Sequence, residues 1–187
     1  MLPALPALSA CGPEVVRGSN EPGIDSQALS TSLDKVDIDH MVRECLADFG
    51  KSDLVGQWRT ENPRPIVALF PFLNASTEHV ESQLATVSDM TETWLVDAKV
   101  RVVDRQRQAQ MIADVEGQQT AAFDPNHAAK YGRQLGAKYY VTGKLEANDE
   151  RVEGKRRVQY AFFMKALSVE TSEILWQHRA FVTKMIR

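Results

Sequence analysis

The sequence has no long apolar segment and very few cysteines. No run approaches the roughly 18 apolar residues that a membrane-spanning helix requires, so attachment to a membrane would have to be peripheral or through a lipid. Among the 187 residues there are 2 cysteines, and Cys45 lies far along the chain from Cys11 in a helical pattern. A disulfide scaffold is therefore excluded.

Patterns that carry catalysis or bind metals are also missing. No Ser/His/Asp order accompanies a nucleophile elbow, and no histidine or cysteine spacing suits a metal site. The pair Gly143-Lys144 is a poor phosphate loop, because six residues rather than four separate it from Gly136 and Leu145 follows in place of Ser or Thr. We therefore predict a protein that is not an enzyme, with no catalytic residue, no metal and no cofactor.

Charge is divided unevenly along the chain. Residues 1–98 hold 6 Lys/Arg against 15 Asp/Glu, whereas residues 99–187 hold 16 against 10. Such segregation indicates either a partner surface or solvated faces that interleave in the fold. A pI near 5.8, without aromatic residues along a basic stripe, disfavours nucleic acid as a partner.

The first residues resemble the end of a bacterial lipoprotein signal. Leu8-Ser9-Ala10-Cys11 reads as a lipobox, in which Cys11 would accept a diacylglyceryl group after cleavage. Residues 1–10 carry no Lys or Arg, whereas a secretory leader begins with basic residues. We interpret residues 1–10 as a truncated signal remnant; the alternative is an ordinary apolar N-terminus that happens to contain a cysteine.

The chain then divides into a tether and one globular domain. Residues 11–33 mix Gly, Pro, Ser and Asn with no hydrophobic period and predict a flexible tether. From residue 12 it would reach at most roughly 70 Å when fully extended and about 25 Å as a coil. Residues 34–187 suit one domain of ordinary size.

Hydrophobic periodicity predicts helices followed by hairpins. We expect an α-helix from about Asp34 to Phe49 with Gly50 just past its end and Cys45 in the core, a strand at 66–70 that stops at Pro71, and a helix capped by Ser76 or Thr77. Further elements are a strand at 100–103, helices at 105–116 and from Asp124, strands at 139–142 and 144–147, a charged turn at 148–155, and strands at 156–169 and 174–183. The fold class is α/β, with a single mixed β-sheet of about five strands flanked by helices and an antiparallel meander at its C-terminal part.

Several segments in this order resemble the LpoB family of lipoprotein activators of penicillin-binding proteins. They are the strand ending in Phe70-Pro71-Phe72, the segment 97–103, the block Leu135-Gly136-Ala137-Lys138-Tyr139 and its continuation to Gly143, and the closing 170–176. Related TolB N-terminal and CsgG-like domains share single motifs, so the order, together with the lipobox, carries the resemblance.

The resemblance implies a non-enzymatic regulator held in the outer membrane through Cys11. It would bind and activate a bifunctional class A penicillin-binding protein in peptidoglycan synthesis, through that enzyme's docking domain. One departure is the short tether, where the family's best-known members carry a long Pro-rich arm. Alternatives are a structural lipoprotein of a CsgG-like or TolB-like envelope complex and a small-molecule or glycan binder.

The sequence offers two kinds of candidate contact residue. Trp58 is an aromatic residue in a predicted loop, where it could anchor a partner. The densest exposed basic group is expected at Arg151, Lys155, Arg156 and Arg157. The alternative interpretations are a tryptophan folded over the core and a solvated hairpin.

Overall fold

The computed structural model of the chain describes residues 31–105, 108, 135–152 and 155–186. Helices α1 and α2 precede strand β1, and helix α3 separates β1 from the remaining strands: α1 Lys35–Lys51, α2 Asp53–Thr60, β1 Ile66–Ala75, α3 Glu81–Asp97, β2 Arg101–Val102, β3 Tyr139–Val152, β4 Lys155–Ser168 and β5 Ile174–Ile186. The strands form one sheet in the order β2-β1-β3-β4-β5. Strand β1 runs parallel to β2 and β3, whereas β3, β4 and β5 are antiparallel. The predicted α/β class with a mixed sheet and a C-terminal meander is confirmed.

Helix α1 begins as its sequence predicts. The Asp34 carboxylate accepts the backbone N–H groups of Val36 and Asp37, and the Asp37 carboxylate accepts the N–H of Asp34 at 2.9 Å, which closes a capping box. The prediction that Gly50 lies just past the end of the helix is wrong, because α1 includes Gly50 and continues to Lys51. Gly50 instead allows close packing, since a Cβ atom there would lie 3.0 Å from the Trp94 ring.

Strand β1 and helix α3 differ from the prediction at the segment that joins them. Strand β1 continues past Pro71 to Ala75 through a register shift, and such an irregularity tolerates a proline. Ser76 does not cap α3, because its hydroxyl donates to Asn74 Oδ1 at 2.7 Å in a turn that Asn74 closes on the Glu78 carbonyl. Helix α3 begins at Glu81 without a side-chain cap.

The hairpin of β3 and β4 is longer than predicted. Strand β3 is continuous through Gly143, where a Cβ atom would overlap the backbone carbonyl oxygen of Phe163. The two strands pair in unbroken register from Tyr139 with Ser168 to Val152 with Lys155. The predicted charged turn at 148–155 is therefore wrong over most of its length, because those residues extend both strands.

The helices cover one side of the sheet, which we call the covered face. Alternate residues of β4 point into this core, and Cys45 packs there as predicted. Burial raises the pKa of the Cys45 thiol to about 12, so it is an inert core residue. In the described ranges, no helix combines the length and apolar character needed to cross a bilayer. The predicted helix from Asp124, and most of the helix predicted from Arg105, lie outside the described residues.

Candidate partner-binding surfaces

The predicted basic group lies at the end of the β3–β4 hairpin. We call residues 148–152 and 155–157 the hairpin tip. Arg156 and Arg157 carry the predicted positive charge there, but each faces a carboxylate across the strands. Arg156 Nη2 donates to Asp149 Oδ2 at 2.8 Å, and Arg157 Nε donates to Glu150 Oε2 at 3.1 Å. The hydrogen bond from Arg156 lowers the pKa of the Asp149 carboxyl below its usual 3.8.

The structure therefore brings the four predicted cations together while neutralising two of them. Arg151 pairs with Arg156 in the strand register, and Lys155 is exposed beside the end of β3. Exposed ion pairs of this kind contribute little to stability. They also leave the hairpin tip less positive than its sequence implies.

The prediction that Trp58 is an exposed anchor in a loop is wrong. Trp58 lies in α2 and is 1% exposed. Its ring meets Phe49 edge to face at a centroid distance of 5.5 Å and Tyr139 at 5.1 Å. An aromatic ring enclosed in this way stabilises the core and is not available to a partner in this conformation.

The side of β3–β5 opposite the helices carries a cluster that we call the aromatic face: Lys144, Phe163, Arg179 and Phe181. The Lys144 ammonium lies 5.2 Å from the centroid of the Phe163 ring. The Arg179 guanidinium lies 5.8 Å from the Phe163 centroid and 5.7 Å from that of Phe181. Phe181 is 52% exposed. These are cation–π distances, so two aromatic rings and two cations form one ordered group on the surface.

Strand register assembles this face from three separate segments. Lys144 of β3 pairs with Phe163 of β4, which pairs with Arg179 of β5, and Ala161 pairs with Phe181. Because side chains alternate along a strand, all four members of the aromatic face point to the same side. The sequence carried one signal for it: Phe181 stands among Gln177, Arg179 and Thr183 on the polar side of β5.

The aromatic face is positively charged although the whole chain has a formal charge of -3. Lys144 has an ion pair with Glu146. Arg179 and the neighbouring Lys165 have no ion pair within the part of the chain that the structure describes. Lys165 pairs with Gln177 of β5 in the strand register. Three cations therefore face one carboxylate here.

On the covered face, by contrast, a cation of β5 is buried and paired with carboxylates. Lys184 of β5 is 8% exposed, and its ammonium lies 2.7 Å from Asp34 Oδ2 and 2.6 Å from Asp37 Oδ2. Burial alone would lower the pKa of Lys184, but hydrogen bonds to the two carboxylates raise it above its usual value. Lys184 also donates to the Ser32 carbonyl at 2.9 Å.

The same network holds the chain just before α1. The Tyr160 hydroxyl oxygen lies 2.9 Å from the Thr31 carbonyl oxygen and 2.8 Å from Glu78 Oε1, and Arg156 Nη1 donates to Thr31 Oγ1 at 3.0 Å. Burial, together with the Glu78 contact, raises the pKa of Tyr160. Thr31 is buried. The chain is thus packed against the domain from Thr31, three residues before the predicted start of the globular part.

A groove and a small polar cluster lie elsewhere on the domain. A groove of about 510 Å³ between β1 and α3 has mainly apolar walls, including Leu69, Phe72 and Leu84. His178 lies 3.4 Å from Glu44 and 3.3 Å from Asp48. Within residues 31–105, 108, 135–152 and 155–186, no group of three or more His, Cys, Asp or Glu side chains could hold a metal ion. Cys11 lies outside the described residues.

Comparison with known proteins decides the family. The family model described as peptidoglycan-synthase activator LpoB matches residues 37–182. The chain belongs to the LpoB family. No curated protein matches it significantly.

Solved structures of LpoB domains share the fold. The LpoB C-terminal domain from Salmonella enterica aligns with a TM-score of 0.59 at 17% identity, over 78% of this chain and 98% of that one. The Escherichia coli domain aligns with a TM-score of 0.50 at 16% identity, over 75% of this chain and 97% of that one. At these identities the likeness shows the fold, so the surface side chains of this LpoB-family chain have to be interpreted from its own structure.

Proposed function

We propose that this chain is an outer-membrane lipoprotein that binds and activates a bifunctional class A penicillin-binding protein. The observation that carries the proposal is the family match over residues 37–182, which covers α1 from Asp37 through most of β5. The lipobox Leu8-Ser9-Ala10-Cys11 supports the lipid anchor. Activation would act through binding alone, with catalysis performed by the synthase.

The structure is suited to a rigid regulator at the end of a tether. Strands β3 and β4 pair over their whole lengths, and the Lys184 network fixes the chain where it enters α1. A preorganised surface loses little conformational freedom when it binds. Such a domain can hold a synthase in one conformation without changing its own.

The proposal is tested by adding the purified full chain to a purified class A penicillin-binding protein of the same organism. We expect faster glycan polymerisation and more peptide cross-linking. Unchanged rates in both reactions, with a chain shown to be folded by circular dichroism, would contradict the proposal.

The anchor is tested separately. Mass spectrometry of the mature protein from native envelopes should find an acylated Cys11, and Cys11→Ser should release the chain from the membrane fraction. The variant should still stimulate the synthase in solution, because the aromatic face and hairpin tip are unchanged. An unmodified cysteine in the mature protein would rule out the anchor without affecting the activator role.

The alternative, a structural lipoprotein of an envelope secretion or transport complex, predicts a stable ring or another large complex. Light scattering of the full chain distinguishes the two functions by molecular mass. A large assembly of the chain alone would favour the alternative, whereas an activator needs only a one-to-one complex with its enzyme.

A further inference from the structure

We propose that the aromatic face docks the peptidoglycan synthase, by receiving an apolar side chain that is surrounded by acidic residues on the enzyme. This inference rests on the proposed function and names the surface that would perform it. It replaces the hairpin tip and Trp58 as the expected centre of contact.

The first argument is the composition of the face. Interface hot spots are enriched in aromatic residues and arginine near the centre of the contact. Phe181 is an exposed aromatic residue, and Arg179 lies against both Phe163 and Phe181. Leaving such a ring in water forgoes the free energy of its burial, which a partner could recover.

The second argument is preorganisation. Arg179 and Lys144 lie over aromatic rings, and their backbones are fixed by the registers of three strands. Side chains already held in place lose less entropy on binding. At the hairpin tip, by contrast, Arg156 and Arg157 would have to leave Asp149 and Glu150 before they could bind a partner's carboxylate.

The third argument is charge. Lys144, Lys165 and Arg179 lie near one carboxylate, Glu146, whereas the other carboxylate on this side of the described strands, Glu150, pairs with Arg157. Arg179 has no carboxylate partner among the described residues. A carboxylate of the enzyme could therefore bind Arg179 without displacing one from this chain. Positive surfaces select acidic partners and speed their encounter. The complementary surface on the synthase therefore has a central apolar or aromatic side chain with Asp or Glu around it.

The test is the affinity of the full chain for the purified class A penicillin-binding protein, measured for two variants with matched controls. Phe181→Ala should weaken binding at least about tenfold, as truncation of a hot spot does. Arg179→Gln should weaken it by a similar factor and reduce its dependence on salt. Both positions are on the surface, so the thermal midpoints should stay close to that of the unmodified chain.

The controls truncate an exposed apolar side chain and neutralise an exposed arginine elsewhere on the surface. Val96→Ala truncates a 55% exposed apolar residue of α3, and Arg43→Gln removes one exposed positive charge from α1. Both should bind the synthase as the unmodified chain does. Equal losses for the controls and the test variants would overturn the inference.

The remaining outcomes separate this inference from the proposed function. If the unmodified chain binds no synthase, the proposed function fails. If it binds and both Phe181→Ala and Arg179→Gln bind equally well, the function stands and the docking face is wrong.

A parallel assay replaces the synthase with phosphatidylglycerol vesicles. If Arg179→Gln weakens retention on these vesicles but leaves the affinity for the synthase unchanged, the face binds lipid headgroups and the inference is overturned.

Discussion

The two faces of strand β5 hold their cations in opposite ways. On the covered face, Lys184 is buried between Asp34 and Asp37. On the aromatic face, Arg179 lies on Phe163 and Phe181 without a carboxylate partner in the described ranges. These residues are five apart in sequence, and the alternation of the strand directs them to opposite sides.

The difference separates stability from recognition. A cation that is buried and fully paired contributes to the fold and is not accessible to a partner. A cation that lies on exposed rings contributes little to the fold and is free to bind. Variants on one face should therefore change unfolding, whereas variants on the other should change binding.

The largest effect is expected at Gly143, where β3 passes close to β4. A Cβ atom there would overlap the Phe163 carbonyl oxygen and lie 2.9 Å from the Phe72 ring. Gly143→Ala should therefore lower the free energy of unfolding by about 3 kcal/mol or more, at the upper end of overpacking costs. Urea unfolding measures the effect.

Gly56→Ala is the matched control for Gly143→Ala. Gly56 lies inside α2 with nothing within 4 Å of an added Cβ atom. Replacing it should stabilise the chain by about 0.5–1 kcal/mol, because glycine is a poor residue in a helix. If Gly143→Ala were as harmless as Gly56→Ala, the close approach of β3 and β4 would not be required.

The next largest loss of stability is expected from a substitution on the covered face. Lys184→Met keeps the length of the side chain but leaves Asp34 and Asp37 without their cation. We expect a loss of about 1–3 kcal/mol in the free energy of unfolding, measured by urea titration at pH 7. The control Lys165→Met removes a cation on the opposite side of the sheet and should change stability by less than about 0.5 kcal/mol. A comparable loss in the control would remove the contrast between the faces.

The contacts of Lys184 with Asp34 and Asp37 also predict how the stability difference between the unmodified chain and Lys184→Met depends on pH. Burial would raise the pKa of Asp34, but hydrogen bonds from Lys184 and the Asp37 backbone lower it below 3.8. A lowered carboxyl pKa contributes stability above 3.8 and loses it as the pH falls through the folded pKa. The urea midpoints of the unmodified chain and Lys184→Met should therefore converge below pH about 4. A constant difference down to pH about 2 would contradict the assignment.

Much of the covered face could be predicted from the sequence. The apolar period of three to four residues and the Asp34 cap identified α1, and the continuous apolar run at 66–70 identified β1. These signals are local, since they depend on neighbours within one or two turns. Helix α2 was missed because it has only 8 residues, although Ser52 caps it by accepting the Val55 N–H at 3.4 Å.

The aromatic face could not be predicted in the same way. It forms only when Phe163 and Arg179 stand opposite each other, and that register depends on the lengths of β4 and the following turn. The hairpin tip shows the same limit. Arg156 and Arg157 are consecutive in sequence, but their carboxylate partners come from β3, seven positions earlier.

The smallest effect is expected from the hairpin tip, where the sequence first indicated a contact. The double variant Glu150→Arg with Arg157→Glu exchanges the two ends of one ion pair and preserves both the pair and the net charge. If docking is centred on the aromatic face, this exchange should change the affinity for the synthase by less than about threefold, as expected for an exposed pair.

The single variant Arg157→Glu is the reference for that exchange. It places two carboxylates opposite each other, which is destabilising on a strand pair, and it makes the nearby surface more acidic. We expect a lower association rate with an acidic partner, and the second substitution should restore that rate. Because the exchange leaves the total charge unchanged, a loss of affinity in the double variant larger than that of Arg179→Gln would indicate recognition of the Arg157–Glu150 pair in its native arrangement. That result would move the centre of docking from the aromatic face to the hairpin tip.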